Sequence, residues 1–260
     1  MSISIIFAGL ITGMLLGVFG SGGSIITVPA LLYLLHIEPK SAIAMSLGIV
    51  SVTATITALQ HWRKGNINFK VTAIFGLFGV AGSFAGAKLG IITPVVIQLS
   101  AFALVMYAAA WRMLKPIAQH KSVGAASSEC ADGYCDDLDY RHIALHGIGV
   151  GLLSGVVGVG GGFLIVPALV LLSGLPMKKA VGTSLSIVAV QSFAGFAGYA
   201  GAVAIDYSLM AVFTGIAITG SVVGSMLAHR LPADLLKRGF GFFLLLVASY
   251  ILIEQFFLAG

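Results

Sequence analysis

The chain has 260 residues, 58% of them apolar and 9% charged, with a formal net charge of +5. A soluble domain carries about 25% charged residues, so fourteen Lys and Arg with nine Asp and Glu cannot cover a water-facing surface, and most of the exterior must face lipid. The basic excess implies no nucleic acid, because membrane proteins gather Lys and Arg in cytoplasmic loops. The two cysteines, Cys130 and Cys135, lie in one hydrophilic stretch and make no disulfide framework.

Residues Met1 to Gly17 are apolar with no Lys or Arg ahead of them, which reads as a membrane segment rather than a cleaved signal peptide. Apolar stretches then recur at about 3–35, 41–60, 69–91, 94–114, 143–172, 180–203, 207–228 and 238–258. In lipid, only helices or closed barrels satisfy the backbone. The alternation of a barrel is absent, so the sequence predicts an all-α membrane protein, a polytopic helical bundle.

The chain repeats itself. At an offset of 138, the distance from Gly9 to Gly147, the positions Gly9, Gly13, Gly17, Gly20, Gly22, Gly23 and Val28-Pro29-Ala30-Leu31 are matched by Gly147, Gly151, Gly155, Gly158, Gly160, Gly161 and Val166-Pro167-Ala168-Leu169. The same offset carries Ser46-Leu47 onto Ser184-Leu185, Gly82-Ser83 onto Gly220-Ser221, Gly86 onto Gly224 and Pro94 onto Pro232. The division is therefore a first membrane repeat at 1–115, a hydrophilic acidic linker at 116–142 and a second repeat at 143–260.

The stretch 3–35 decides how the repeats are oriented. As one helix it would reach about 50 Å at ~1.5 Å per residue, beyond a ~30 Å hydrocarbon core, and Gly20-Ser21-Gly22-Gly23 breaks it near the middle. A single broken crossing gives parallel repeats and divides the Lys and Arg residues seven against seven. A re-entrant hairpin leaves only Lys40 and Lys88 on the N-terminal side and puts the other twelve, from Arg63-Lys64 through Lys178-Lys179 to Arg238, on the opposite face. The strong bias selects inverted repeats with a Gly-broken or re-entrant first helix, a cytoplasmic linker and both termini outside.

The paired segments Gly13 to Gly23 with Val28-Pro29-Ala30-Leu31, and Gly151 to Gly162 with Val166-Pro167-Ala168-Leu169, resemble the duplicated signature of the sulfite exporter TauE/SafE family over essentially the whole chain. The resemblance implies a bacterial inner-membrane carrier of sulfite, sulfoacetate or related organosulfonates. Half one departs from half two in having Ser24 where half two has Gly162.

The residues themselves point to anions as well. A glycine turn at mid-membrane followed by a short helix leaves backbone N–H groups unpaired, and the helix dipole adds roughly +0.5 charge there. Transporters with inverted repeats bind substrate at the midplane between such discontinuous helices. The candidate substrate-binding residues are accordingly Gly20, Ser21, Gly22, Gly23 and Ser24 in one half and Gly158, Gly160, Gly161 and Gly162 in the other. Ser46 and Ser184 join them as repeat equivalents near the starts of their helices, and Gln191 because its amide donors suit an oxyanion. Thr53, Thr57, Gln60, Thr183 and Ser186 are polar on the same helices, where bonds back to the helix are the ordinary outcome. The spaced glycines at 9, 13, 17 and 147, 151, 155 read as helix-packing faces. Pro29 and Pro167 read as shaping the short helices.

The linker holds Glu129, Asp132, Asp136, Asp137 and Asp139 with both cysteines. The gap between those cysteines is looser than zinc spacings, so the linker reads as a solvated connector, and neither metal nor cofactor is expected. No paired acids or Ser-His set lies within the spans, which disfavours an intramembrane enzyme. A passive channel or an uptake permease shares the architecture and remains the alternative. The expected partners are a small anionic substrate and the bilayer, with a homo-oligomer left open.

Overall fold

The computed structural model describes residues 3–19, 22–114, 140–158, 160, 162, 165–166, 169, 177–228 and 233–253. All regular structure there is helical: α1 (Ile3–Phe19), α2 (Gly22–Pro29) continuing as a wide π turn over Ala30–Leu34, α3 (Pro39–Arg63), α4 (Phe69–Ile92), α5 (Val95–Leu114), α6 (Tyr140–Val157), α7 (Met177–Tyr199), α8 (Tyr207–Ala228) and α9 (Ala233–Ile253). Among the described residues, four stretches are long and apolar enough to cross a membrane: Pro39–Arg63, Phe69–Ile92, Lys179–Tyr199 and Tyr207–Leu227. The linker, with Cys130 and Cys135, lies outside the described residues except for its last three positions, which already belong to α6.

Local chemistry sets the element ends. Asn68 Oδ1 accepts from Val71 N at 3.2 Å to cap α4, and Asp206 Oδ1 accepts from Leu209 N at 3.0 Å to cap α8; the two caps are 138 residues apart. Pro39 occupies the first turn of α3, where its missing N–H costs nothing. At the other end of α3, Gly65 N donates to Trp62 O and Asn66 N to His61 O, the paired bonds of a helix stop. The break expected in 3–35 falls between Phe19 and Gly22. Pro29, which has no N–H to return to the preceding turn, is followed directly by the π turn.

The helices α3 and α7 form the centre, their apolar windows 78% and 67% buried against 44% and 39% for α4 and α8. Large apolar side chains point outward elsewhere, Leu77, Ile92, Leu104 and Phe242 among them, as a lipid-facing surface requires.

Directions follow from a few contacts. Lys40 Nζ donates to Ile91 O at 2.5 Å, so α3 begins where α4 ends; this is the Lys40 end of the bundle, and Arg63 marks the other. Asn68 N donates to Thr183 Oγ1 at 3.0 Å, so α7 begins at the Arg63 end. Gly48 faces Phe196 and Gly195 faces Leu47, which makes α7 antiparallel to α3 although the offset equates them. Ser225 Oγ lies 3.3 Å from His61 Nε2, placing the last turn of α8 at the Arg63 end.

Two seams of backbone contact join the halves. A Cβ on Gly13 would overlap Ala217, and one on Gly17 would overlap Ser221; a Cβ on Gly151 would overlap Gly79, and one on Gly155 would overlap Ser83. Each contact of α1 with α8 thus recurs between α6 and α4 at the same offset, and both pairs run parallel. Because α1 heads toward the Arg63 end while α3 starts from the Lys40 end, α1 and the segment Gly22–Leu34 form a helical hairpin. Its arms are about 25 and 20 Å long at ~1.5 Å per residue, shorter than a hydrocarbon core of roughly 30 Å.

The seams predict a graded stability response. Gly13→Val and Gly151→Val force branched side chains into facing backbone, a cost on the order of 1–3 kcal/mol or more, and both should lower the thermal unfolding temperature in detergent. Gly215→Ala, where nothing lies within 4 Å of a Cβ, should leave it unchanged or raise it slightly. Equal losses in all three variants would contradict the seams.

Candidate functional site

The second glycine cluster is held at its edges by side chains of the two central helices. Gly158 and Gly160 take φ of +78° and +68°, a region that residues with a Cβ enter at a cost. Ser46, on α3, donates its hydroxyl to the Gly158 carbonyl as well as to Ile43 O, 2.8 Å away. Gly158 N donates to Ser154 O at 2.8 Å. A Cβ on Gly158 would strike Ile43, one turn into α3. A Cβ on Gly160 would stand 2.5 Å from Ser192 Oγ, 3.2 Å from Val50 Cγ1 and 3.3 Å from Val188 Cγ1, and Val50 and Val188 are at the middle of α3 and α7. The sequence reading put the whole glycine turn at mid-depth. Gly160 is there, but Gly158 lies nearer the Lys40 end, because α6 extends until Val156 meets Tyr199.

That meeting is a buried polar knot. Tyr199 Oη donates to Val156 O at 3.2 Å, and Gln98 Nε2 donates to Val156 O at 2.9 Å and to Gly90 O at 2.8 Å. The last turn of α6 is thereby tied to α4, α5 and α7 at once, which fixes where the chain turns back.

Ser192 Oγ, which stands next to Gly160, has no hydrogen-bond partner among the described residues, nor have the two amide atoms of Gln191 or Ser154 Oγ elsewhere on α7 and α6; all three residues are at least 98% buried. Gln191 packs on Gly79, whose Cβ would overlap the amide. Its backbone carbonyl accepts from Ser83 Oγ at 2.8 Å. In the first half, the corresponding region is a cavity of about 10 Å³ walled by Thr12, Gly13, Leu16, Thr27, Ile49, Val50, Thr53 and Ala217, and Thr12 Oγ1 is unpartnered among the described residues too. The offset carries the cavity residues Leu16 and Thr53 onto Ser154 and Gln191.

The candidate residues therefore divide. Gly158, Gly160 and Ser46 are gathered around one turn, Gln191 is buried against Gly79 of α4, and Gly162 is helical and buried just beyond the turn. Gly22, Gly23 and Ser24 make the first turn of α2, whose N–H groups have no partner within the helix. Gly20, Ser21 and Gly161 lie outside the described residues, as does Pro167. Ser184 donates to Val181 O in its own helix at 2.8 Å. Thr53, Thr57 and Ser186 also bond back one turn, to Ile49 O, Thr53 O and Gly182 O. The sequence reading passed over Ser192, Ser154 and Gly79. A signal existed: Ser154 stands where the repeat has Leu16, and Gln191 where it has Thr53, so departures from the repeat mark the polar positions.

Ser46 is a clamp in this arrangement, its proton already committed to carbonyls. Ser46→Ala should lower stability by about 1 kcal/mol, the usual net worth of such a bond, whereas Ser186→Ala, losing only a 3.3 Å bond within its own helix, should be near neutral. Comparing their unfolding temperatures checks this, and the reverse order would contradict the clamp.

Comparison with known proteins agrees with a membrane carrier. Residues 5–251 match the family model described as Sulfite exporter TauE/SafE. A probable membrane transporter protein of Xylella fastidiosa (strain Temecula1) is 34% identical over 249 residues, covering 94% of this chain and 92% of the relative. A probable membrane transporter protein of Haemophilus influenzae is 30% identical over 267 residues, covering 94% and 95%, and YdhB of Bacillus subtilis, also a probable membrane transporter protein, is 28% identical over 233 residues, covering 90% and 93%. No solved structure matches the chain. The chain is a multi-pass membrane protein, a transporter rather than an enzyme, and it belongs to the sulfite exporter TauE/SafE family.

Proposed function

We propose that the chain is a secondary transporter that exports small sulfur-containing anions, sulfite, sulfoacetate or related organosulfonates, across a bacterial inner membrane. The observation that carries the reading is the bare backbone of Gly160 at mid-length of α3 and α7, beside the unpartnered hydroxyl of Ser192, in a chain of this family. Glycine N–H groups and the hydroxyl donate to oxyanion oxygens, and no buried Lys or Arg is required. The first turn of α2 offers a second set of free N–H groups and the positive end of a helix dipole. An inside-negative potential drives an anion outward by about 2.3 kcal/mol per charge per 100 mV, so export needs no coupled ion.

In this reading residues 1–115 and 143–260 are inverted repeats, supported by the antiparallel packing of α3 on α7 and the recurrence of the glycine seams at the 138-residue offset. The Arg63 end is cytoplasmic, because twelve of the fourteen Lys and Arg residues fall on that side or in the linker.

Purified protein in liposomes should release loaded sulfite or sulfoacetate with saturable kinetics and show counterflow. Flux rising linearly with concentration would mean a channel, and no flux of either anion would overturn the substrate assignment. Sidedness has its own check. In a background lacking Cys130 and Cys135, a single cysteine in the linker should resist an impermeant thiol reagent in intact cells and react after permeabilisation; labelling of intact cells would contradict the orientation.

A further inference from the structure

Toward the Arg63 end, an apolar groove of about 420 Å³ lies between α3 and α7 and reaches the start of α4. It falls within the roughly 300–1,000 Å³ of small-ligand sites. Ala58 and Ala189, both buried, form its floor, and the exposed side chains of Leu59, Trp62, Phe69 and Phe193 stand around it. Trp62 and Phe69 meet edge to face, ring centroids 6.0 Å apart. The wall has little for a small hydrophilic anion, because the hydroxyls of Thr55 and Ser186 donate to Ser51 O at 2.6 Å and Gly182 O at 3.3 Å in their own helices. An apolar body fits it.

Charge stands next to this groove. Arg63 and Lys64 follow Trp62 at the end of α3, and Lys70 follows Phe69 in the first turn of α4; the stretch His61 to Lys70 contains no acid. All three cations are exposed, and none forms an ion pair among the described residues.

The repeat separates this arrangement from an ordinary cytoplasmic-side excess of cations. The 138-residue offset carries Ala58 onto Phe196, whose ring lies on Gly48, the equivalent of Ser186. It carries Trp62, Arg63, Lys64 and Lys70 onto Ala200, Gly201, Ala202 and Ser208. Where the floor is filled, the tryptophan and the cations are gone too. The positive-inside tendency accounts for the cations alone, not for the alanine floor beside them. A second copy of the chain is a poor occupant, since a two-fold contact sets the same patch against itself and would bring the two sets of cations together.

We propose that this groove binds an anionic phospholipid, with an acyl chain on Ala58 and Ala189 and the headgroup phosphate against Arg63, Lys64 and Lys70. Basic pockets between membrane helices suit anionic headgroups, and hydrocarbon fills the space that the two alanines leave. The lipid bridges α3 and α7, whose Val50 and Val188 wall the Gly160 turn, and so braces the centre of the bundle from outside. The inference holds whichever anion the chain carries.

The test compares phosphatidylglycerol with phosphatidylcholine of the same acyl chains, each added to delipidated full-length protein in detergent. Retained lipid is counted by native mass spectrometry, and the unfolding temperature is measured alongside. The unaltered protein should prefer phosphatidylglycerol by about tenfold or more and unfold at a higher temperature with it, as a ligand of the folded state requires. Ala58→Phe, which copies the other half, should remove both effects, and so should Arg63→Gln, Lys64→Gln and Lys70→Gln combined. Val190→Trp, at the exposed rim of the groove, takes the place of Ala58→Phe if that variant fails to fold. Equal retention of the two lipids by the unaltered protein overturns the inference. Undiminished retention of phosphatidylglycerol by a folded groove variant overturns it as well, because the cations would then act without the groove. A dimer of the unaltered protein that separates in the groove variant would give the surface to a second copy and overturn it too.

Discussion

Backbone lying on backbone is the constraint from which the rest of the molecule follows. Lipid gives apolar helices no hydrophobic reason to associate, so association depends on close packing and on hydrogen bonds between helices. Here Gly151 lets α6 rest on the main chain of Gly79, and Gly13 lets α1 rest on that of Ala217. These seams hold α1 and α6 each against the opposite half. The α6 seam also brings Val156 to Tyr199 and Gln98, which sets where the chain turns, and the turn then places Gly160 beside Val50, Val188 and Ser192. Side chains at the seams would separate the helices and remove the site's walls together.

The elements were largely legible in the sequence, because bilayer-length apolar runs and the glycine break state their own extents. The stretch read at 207–228 is α8, that at 69–91 is α4 to within a residue, and the break in 3–35 separates α1 from α2. Depth was not legible. Hydropathy is nearly uniform along a buried helix, so it could not say that Gly158 lies opposite Ile43 while Gly160 lies opposite Val50. Nor could it distinguish a hydroxyl that clamps a distant carbonyl, as Ser46 does, from one turned back on its own helix, as Ser186 is. That difference depends on which neighbour the fold supplies.

The repeat is most informative where it fails. Its glycines and its caps at Asn68 and Asp206 keep the two halves alike in shape, while Ser154 for Leu16, Gln191 for Thr53 and Tyr199 for His61 make them unlike in chemistry. Tyr199 ties the α6 tip at the Lys40 end, whereas His61 meets Ser225 at the Arg63 end. Two halves that share these features thereby acquire distinct ends and unpartnered polar groups weighted toward α7.

The central claim is that the bare backbone at Gly160 receives the anion, and anion affinity of Gly160→Ala measured beside Gly65→Ala tests it most directly. Both glycines take nearly the same left-handed conformation, φ +68° and +70°, so alanine imposes similar backbone strain, but nothing lies within 4 Å of a Cβ at Gly65 while one at Gly160 presses on Ser192. With sulfite as the titrant and folding confirmed by a cooperative thermal transition, Gly160→Ala should lose affinity by about tenfold or more, a change of roughly 1.4 kcal/mol, and Gly65→Ala should keep it. Unaltered affinity in folded Gly160→Ala would contradict the account.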